Sequence, residues 1–393
     1  MICDDATIRV TVNPPPPLLI SIDPFRVFDT RLFDPPGAVA VPKTRVGGGS
    51  TLRVHVLGVH GIPTGNVAAV SLNVTVINPA GGGFVTVYPC GDLPLVSSLN
   101  YIARQTVPNA VITPVSAEGD ICLYASAATD LFADINGWFL TDRGFGPLQP
   151  RRLLDTRSNE PQGAVVIAKQ PVGGLGRVLR VRVTGVVGVP NSGVGAVSLN
   201  VTAVNPVGVG FVTVYPCGAV PVVSSLNFVR GAVVPNAVIA PVSDSGEVCF
   251  YSNVDTDLVA DINGWVASTA ALVAFEPIRL VDSRAGSPDG EIGVTKTKIG
   301  GLGYVLEIGY GQPVDVGAWS MNVTVVNPEG VGYLTVFPCT NEIPGVSSLN
   351  FNLNQVVANA VIAPLSADGD VCFFASARTD ILIDLNGEFI NAG

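Results

Sequence analysis

Charge is what this 393-residue sequence has least of. Charged residues make up 13% of the chain, about half the share of an ordinary soluble protein. Hydrophobic residues reach 48% and the mean hydropathy is +0.47. The chain has 31 acidic and 21 basic residues, for a net charge of −10. An acidic chain this poor in Lys and Arg has no basic patch to neutralise phosphates, which argues against nucleic acid as a partner.

Long apolar runs are also missing, and so is a recognisable leader. A membrane-spanning helix needs about 18 or more apolar residues in a row, and no run approaches that length. The beginning, "MICDDATIRV", has no basic segment followed by an apolar core, as a signal peptide would have. Residues 1–18 alternate like a strand and then reach four prolines. We expect them to be the end of an upstream domain of a longer secreted polypeptide, or a donor strand for another copy.

Groups that usually carry catalysis are scarce. His55 and His60 are the only histidines, and they align with Arg182 and Val187 of a second copy of the same motif. The sequence has no CxxC pair and no Gly-Lys-Ser/Thr loop, which zinc sites and phosphate-binding loops use. We therefore predict a protein that is not an enzyme and needs no cofactor.

What the sequence does have is internal repetition. It reads "VSLNVTVINPAGGGFVTVYPCG", then "VSLNVTAVNPVGVGFVTVYPCG", then "WSMNVTVVNPEGVGYLTVFPCT". Cys90, Cys217 and Cys339 end these copies and are 127 and 122 residues apart. A period this long matches a complete small domain rather than one unit of a solenoid. We therefore divide the chain into repeat 1 (residues 19–141), repeat 2 (142–268) and repeat 3 (269–393).

Within a repeat, nearly every segment is typical of a short strand. Segments such as "GFVTVYP" and "NAVIAPV" are rich in Val, Phe, Tyr and Thr, and Asn-Pro or Gly clusters separate them. No stretch has a convincing helical period. Seven or eight short strands in about 120 residues predict an antiparallel β-sandwich of the jelly-roll or immunoglobulin-like kind. We expect an all-β protein of three tandem sandwiches lying end to end.

The cysteines support one disulfide in each repeat. Each repeat contains one pair separated by 32 or 33 residues: Cys90 and Cys122, Cys217 and Cys249, Cys339 and Cys372. Six cysteines allow fifteen pairings, but the threefold recurrence favours pairing within each repeat. Such a bond stabilises a domain by roughly 3–4 kcal/mol and indicates an oxidising, extracytoplasmic location. Cys3 is left without an obvious partner.

The motif that opens each repeat predicts a structural clasp. It reads "RVFDTR", "RLLDTR" and "RLVDSR". Arginine forks onto carboxylates in a bidentate way, and a buried charge persists only if it is paired. We expect Arg31, Arg157 and Arg284 to bind strand carboxylates such as Asp134, Asp261 and Asp384, alongside Asp29, Asp155 and Asp282. Asn73, Asn200 and Asn322 begin "NVT" in mid-strand, where strand packing explains them better than glycosylation.

Two other interpretations of the recurring polar residues stay open. Asp130, Asp134 and Asn136 are hard oxygen ligands that suit calcium, although their spacing matches no EF-hand loop. Alternation along "TDLFADINGWF" places Asp130, Asp134, Asn136 and Trp138 on one face of a strand. Asn and Asp beside an aromatic ring would suit a carbohydrate. Trp138 with Asn136, and Trp265 with Asn263, are the candidate glycan-binding pairs, but the third repeat has Glu388 where the tryptophan stands.

As a set, "RLLDTR", "GFVTVYPCG" and "DINGWF" resemble a repeat found in secreted and surface proteins of bacteria, especially actinobacteria-like lineages. The resemblance covers residues 24–390 and implies an extracellular β-rich accessory module without an established activity. We expect a structural or adhesive protein of a bacterial surface that binds copies of itself or neighbouring surface proteins. A filament or layer is one form that such self-association would take. A polysaccharide-binding module is the alternative.

Overall fold

The structure is a computed structural model that describes residues 16–174, 176–301, 303–340 and 342–391. Every helix or strand assigned in these ranges is a β-strand, so the all-β prediction is confirmed. The short Val-, Phe- and Thr-rich segments form the strands, and the Asn-Pro and glycine clusters form the turns. The strand expected within residues 1–15, and Cys3 with it, lies outside the described residues.

The strands follow one order in all three repeats. Repeat 1 contains β1 (Leu19–Asp29), β2 (Ser50–His55), β3 (Val67–Ile77), β4 (Gly83–Pro89), β5 (Leu99–Tyr101), β6 (Thr106–Pro114), β7 (Asp120–Ala125) and β8 (Asp130–Leu140). Repeat 2 contains β9 (Phe145–Asp155), β10 (Val178–Arg182), β11 (Val194–Val204), β12 (Gly210–Pro216), β13 (Leu226–Phe228), β14 (Val233–Pro241), β15 (Glu247–Ser252) and β16 (Asp257–Ala267). Repeat 3 contains β17 (Leu272–Asp282), β18 (Val305–Gly309), β19 (Val316–Val326), β20 (Gly332–Pro338), β21 (Leu349–Phe351), β22 (Val357–Pro364), β23 (Asp370–Ala375) and β24 (Asp380–Ile390).

Each repeat contributes two four-stranded antiparallel sheets. In repeat 1 the first sheet has the order β1-β8-β3-β6 and the second has the order β2-β7-β4-β5. The other repeats reproduce these orders, so neighbours in a sheet are distant in sequence. The two sheets of a repeat enclose an apolar core because one face of each strand is Val, Leu, Ile or Phe. In repeat 1 this core includes Val70, Leu72 and Val74 of β3.

The six sheets follow one another in a closed, propeller-like ring of six blades. The second sheet of repeat 1 contacts the first sheet of repeat 2, repeat 2 contacts repeat 3 in the same way, and repeat 3 returns to repeat 1. The prediction of three tandem β-sandwich domains lying end to end is therefore wrong. The end-to-end arrangement does not occur because strands of one repeat pack against strands of the next, and repeat 3 packs against repeat 1.

A fourth apolar core explains why the ring closes. It consists of buried residues drawn from all three repeats: Leu18, Leu19, Ala68, Ala69, Ile112, Phe139, Phe145, Ala196, Ile239, Val266, Ala271, Ala318, Ile362 and Phe389. Phe139 of repeat 1 stacks on Phe145 of repeat 2, with ring centroids 4.3 Å apart, and packs edge-on against Phe389 of repeat 3. Burying this shared surface favours one unit over three separate ones.

Candidate functional site

The recurring polar residues meet where one repeat contacts the next, and we call these three contacts the seams. At the seam of repeats 1 and 2, the side chain of Asn200 donates a hydrogen bond to the Ser97 carbonyl oxygen at 2.8 Å. The Oδ1 atom of Asn200 accepts one from Nδ2 of Asn109 at 3.0 Å. Asn200 lies in β11, where alternate residues fill the core of repeat 2, so its side chain must point to the neighbour.

The same pair of bonds recurs at the other two seams. Asn322 donates to the Ser224 carbonyl at 2.6 Å and accepts from Asn236 at 2.9 Å. Asn73 donates to the Ser347 carbonyl at 2.5 Å and accepts from Asn359 at 2.9 Å, which joins the last repeat to the first. All three "NVT" asparagines are therefore engaged in bonds between repeats.

A carboxylate on each seam is held from both sides. Asp261 accepts from Arg152 Nε at 2.5 Å, and the Ser97 backbone of the neighbouring repeat lies close enough to lower its pKa. In repeat 3, Asp384 pairs with Arg279 and its Oδ2 accepts from the Ser224 amide at 3.1 Å. These carboxylates therefore tie the opening strand of their own repeat to the neighbouring repeat.

The equivalent carboxylate in repeat 1 is Asp134, which pairs with Arg26 and interacts with the Ser347 backbone. Arg26 also binds Asp29 at 2.8 Å, so one guanidinium bridges two buried carboxylates. Arg31 binds Asp29 through its side chain at 2.6 Å and donates its backbone amide to the same carboxylate at 2.9 Å.

The motif is thus a clasp, but its arginines pair with other carboxylates than expected. The arginine that reaches the strand carboxylate is the first of the motif, Arg26, Arg152 or Arg279. The second, Arg31, Arg157 or Arg284, binds the acid of the motif itself. The sequence contained a signal for this role, since all three copies of the motif begin with arginine. In the structure, the pairing of β1 with β8 places Arg26 directly opposite Asp134.

The carboxylates at the seams and the carboxylates of the opening motif have pKa values shifted in opposite directions. Burial raises the pKa of Asp261 to about 6, although Arg152 opposes the shift. Burial also raises the pKa of Asp134 and Asp384. Asp155 is different: burial acts to raise its pKa, but hydrogen bonds and charge from Arg157 outweigh this and hold it below its usual value. Asp29 and Asp282 behave like Asp155.

The three residues considered for calcium do not converge on one point. Asp130 pairs with Arg45 at 3.2 Å and accepts from the Thr30 hydroxyl at 3.3 Å. Asp134 is engaged by Arg26. Asn136 donates to the Ile362 carbonyl of repeat 3 at 2.7 Å. The two aspartates are therefore held by different arginines, and Asn136 is held through its amide nitrogen by a third contact.

A β-bulge separates the residues considered for carbohydrate. Ser71 lies opposite Gly137 and Leu72 opposite Ile135, so Asn136 is skipped in the register. The extra residue reverses the alternation. Trp138 is buried in the core of repeat 1, while Asn136 faces repeat 3. Asn263 is skipped in the same way beside Trp265. The structure therefore places each tryptophan and its asparagine on opposite faces.

Each repeat contains one disulfide: Cys90–Cys122, Cys217–Cys249 and Cys339–Cys372. Each connects the end of one strand to its neighbour in the second sheet, and three such bonds are consistent with an oxidising environment. Glu307 lies close to the sulfurs of Cys339 and Cys372, but disulfide sulfurs are not thiolate ligands. His55 bonds Asp120 at 2.9 Å on an exposed edge strand.

Comparison with known proteins gives little. No protein-family model and no curated protein matches the sequence. One chain in the atomic structure of Sulfolobus Turreted Icosahedral Virus is 10% identical, covering 96% of this chain and 92% of that chain, with a TM-score of 0.22. One in the X-ray structure of the lipid-containing bacteriophage PM2 is 9% identical, covering 88% and 98%, with a TM-score of 0.16. Similarities this weak carry no argument about function.

Across the described ranges, no helix has the length and apolar character needed to cross a membrane.

Proposed function

We propose that the chain is a non-enzymatic structural or adhesive module that works outside the cytoplasm and binds further copies of itself. The observation that carries this proposal is the use made of the recurring polar residues. Asn73, Asn200 and Asn322 hold one repeat to another, and the motif arginines are held by buried carboxylates. A repeated active site would be sought first among the residues that recur three times. Here these residues hold the repeats of one chain together.

The loops between β4 and β5 and their equivalents offer a surface for association. Leu95 and Val222 are 93% and 92% exposed, and Leu93, Val220 and Ile343 are also exposed. These five residues, which we call the apolar end, occupy equivalent positions in the three repeats. Because the loop recurs in every repeat, the ring presents exposed apolar residues at three equivalent places. Exposed apolar surface favours protein contacts.

Sedimentation over a range of concentrations tests this proposal. The parent protein is expected to form larger species as its concentration rises, and Leu95→Ser with Val222→Ser is expected to shift it toward the monomer. Val166→Ser is the matched control, since Val166 is exposed but lies outside the apolar end. A parent that stays monomeric at every concentration would remove self-association from the proposal.

The two pairs considered for carbohydrate do not support that alternative, because each pair is split between opposite faces of its strand.

A further inference from the structure

A small cavity lies where the three repeats meet, and we call it the axial cavity. Its volume is about 20 Å³, which is room for one guest the size of a water molecule. Three equivalent serines contribute to its lining: Ser71, Ser198 and Ser320. Asn136 and Asn386 line it too, and Asn386 is skipped in the register of β24 as Asn136 is in β8. We call Asn136, Asn263 and Asn386 the bulge asparagines. The rest is apolar and includes Ala110, Ala237, Ala360, Ile112, Ile239 and Ile362.

The carboxamide oxygens of the three bulge asparagines lie without a partner at this cavity or next to it. Those of Asn136, Asn263 and Asn386 are buried and accept no hydrogen bond from the described residues. Asn263 and Asn386 are only 7% and 9% exposed. A buried acceptor left in this state is costly to the fold, and three equivalent ones indicate a common cause.

The orientation of these amides is set by their other end. Nδ2 of Asn136 donates to the Ile362 carbonyl, and Nδ2 of Asn263 donates to the Ile112 carbonyl, both at 2.7 Å. A carbonyl accepts only from the amide nitrogen, so Oδ1 is left as the free acceptor. Asn386 completes the set at the cavity wall. Asn263 lines the adjoining cavity, which shares Ala110, Ile112 and Ala237 with the axial one.

We propose that the axial cavity binds one alkali-metal cation, sodium or potassium, through the carboxamide oxygens of Asn136 and Asn386 and the hydroxyls of the three serines. These side-chain oxygens are neutral, and oxygen ligands suit hard cations. None of its lining residues is an acid. The carboxylates two positions earlier, Asp134, Asp261 and Asp384, are already paired with arginines. Dehydration costs rise steeply with charge, so a neutral site favours a monovalent ion.

Thermal unfolding of the full-length protein in sodium, potassium and choline chloride at equal ionic strength tests the proposal. We expect the midpoint to be higher by about 2–4 °C in one of the two alkali salts than in choline chloride. Asn386→Leu removes one oxygen and is expected to abolish the difference. If Asn386→Leu does not fold, Ser320→Ala is the milder substitute and is expected to reduce the difference in midpoint. Asn159→Leu, at an exposed position, is the control and should keep it.

Crystals grown with rubidium chloride give an independent reading. An anomalous peak within the axial cavity would support the site. Equal midpoints of the parent in all three salts would mean that the cavity holds only water and would overturn the proposal. If potassium is the salt that raises the midpoint, a rubidium derivative without that peak would overturn it as well.

Discussion

Arg152 is the charged side chain on which the middle repeat depends most, because it is shared by two buried acids. It binds Asp155 at 2.7 Å and Asp261 at 2.5 Å. Arg157 binds only Asp155 within the motif and is 30% exposed. The two arginines of one motif are therefore expected to contribute unequally to stability, which the sequence alone does not reveal.

We predict that Arg152→Ala lowers the free energy of unfolding by about 3–5 kcal/mol, because it leaves Asp261 buried without its partner. Arg157→Ala is expected to cost only about 1–2 kcal/mol, since Arg152 still holds Asp155. Urea unfolding of both variants measures the difference. If the two substitutions cost the same, the assignment of the bridging role to Arg152 is wrong.

The raised pKa of Asp261 predicts a pH dependence of stability. Its pKa is about 6 in the folded protein against a usual 3.8, so the folded state holds a proton that the unfolded state has lost. Stability is therefore highest below the unfolded value and falls as pH rises through about 6. This one group accounts for a loss on the order of 3 kcal/mol at most.

Asp261→Asn cannot titrate and is expected to flatten part of the fall in melting temperature between about pH 4 and pH 6. The flattening is partial because Asp134 and Asp384 are shifted in the same direction. Asp155 acts in a separate window, since its lowered pKa makes its contribution disappear only in acid. Identical pH profiles for variant and parent would contradict the assignment.

At the scale of the strand, the bulge at Asn136 has the largest consequence. It turns Trp138 into the core and leaves Asn136 facing the neighbouring repeat. Simple alternation along "TDLFADINGWF" predicts that Asn136 and Trp138 share one face. This prediction is wrong, because the bulge reverses the alternation. The Asn-Gly pair was the available signal, because an isolated glycine within a strand often marks a bulge.

Gly137 allows β1 to pass close to the bulge. A Cβ atom there would lie 2.6 Å from the Ile20 carbonyl oxygen, whereas one at Gly65 would have nothing within 4 Å. We predict that Gly137→Ala destabilises the protein by about 1–3 kcal/mol, because the backbone of β1 must shift. Gly65→Ala is expected to change the free energy of unfolding by less than about 0.5 kcal/mol. Equal effects in urea unfolding would argue against the close approach.

At the scale of the whole molecule, the sequence predicts the parts better than their arrangement. The repeats of "GFVTVYPCG" and their spacing predict three copies, β-strands throughout and one disulfide in each copy. They do not predict that the copies close on one another. Asn200 and Asn109 could satisfy turns within their own repeat equally well, and only the fold shows that Asn200 binds the Ser97 carbonyl of the preceding repeat.

The sequence also does not show whether the small apolar residues of the strands face solvent or a neighbouring repeat. Small residues such as Ala69, Ala196 and Ala318 suit a solvent-facing strand of low charge as well as a close contact. In the structure they are fully or almost fully buried in the core that all three repeats share. The low charge of the chain is explained in part by this second layer of burial.

Small-angle X-ray scattering tests the central claim, that the three repeats form one closed ring, most directly. A compact unit of this length is expected to have a radius of gyration of about 21 Å. Three domains of about 125 residues in a row would give about 30 Å. A monomer with a value near 21 Å supports the closed ring, and a value near 30 Å would contradict it.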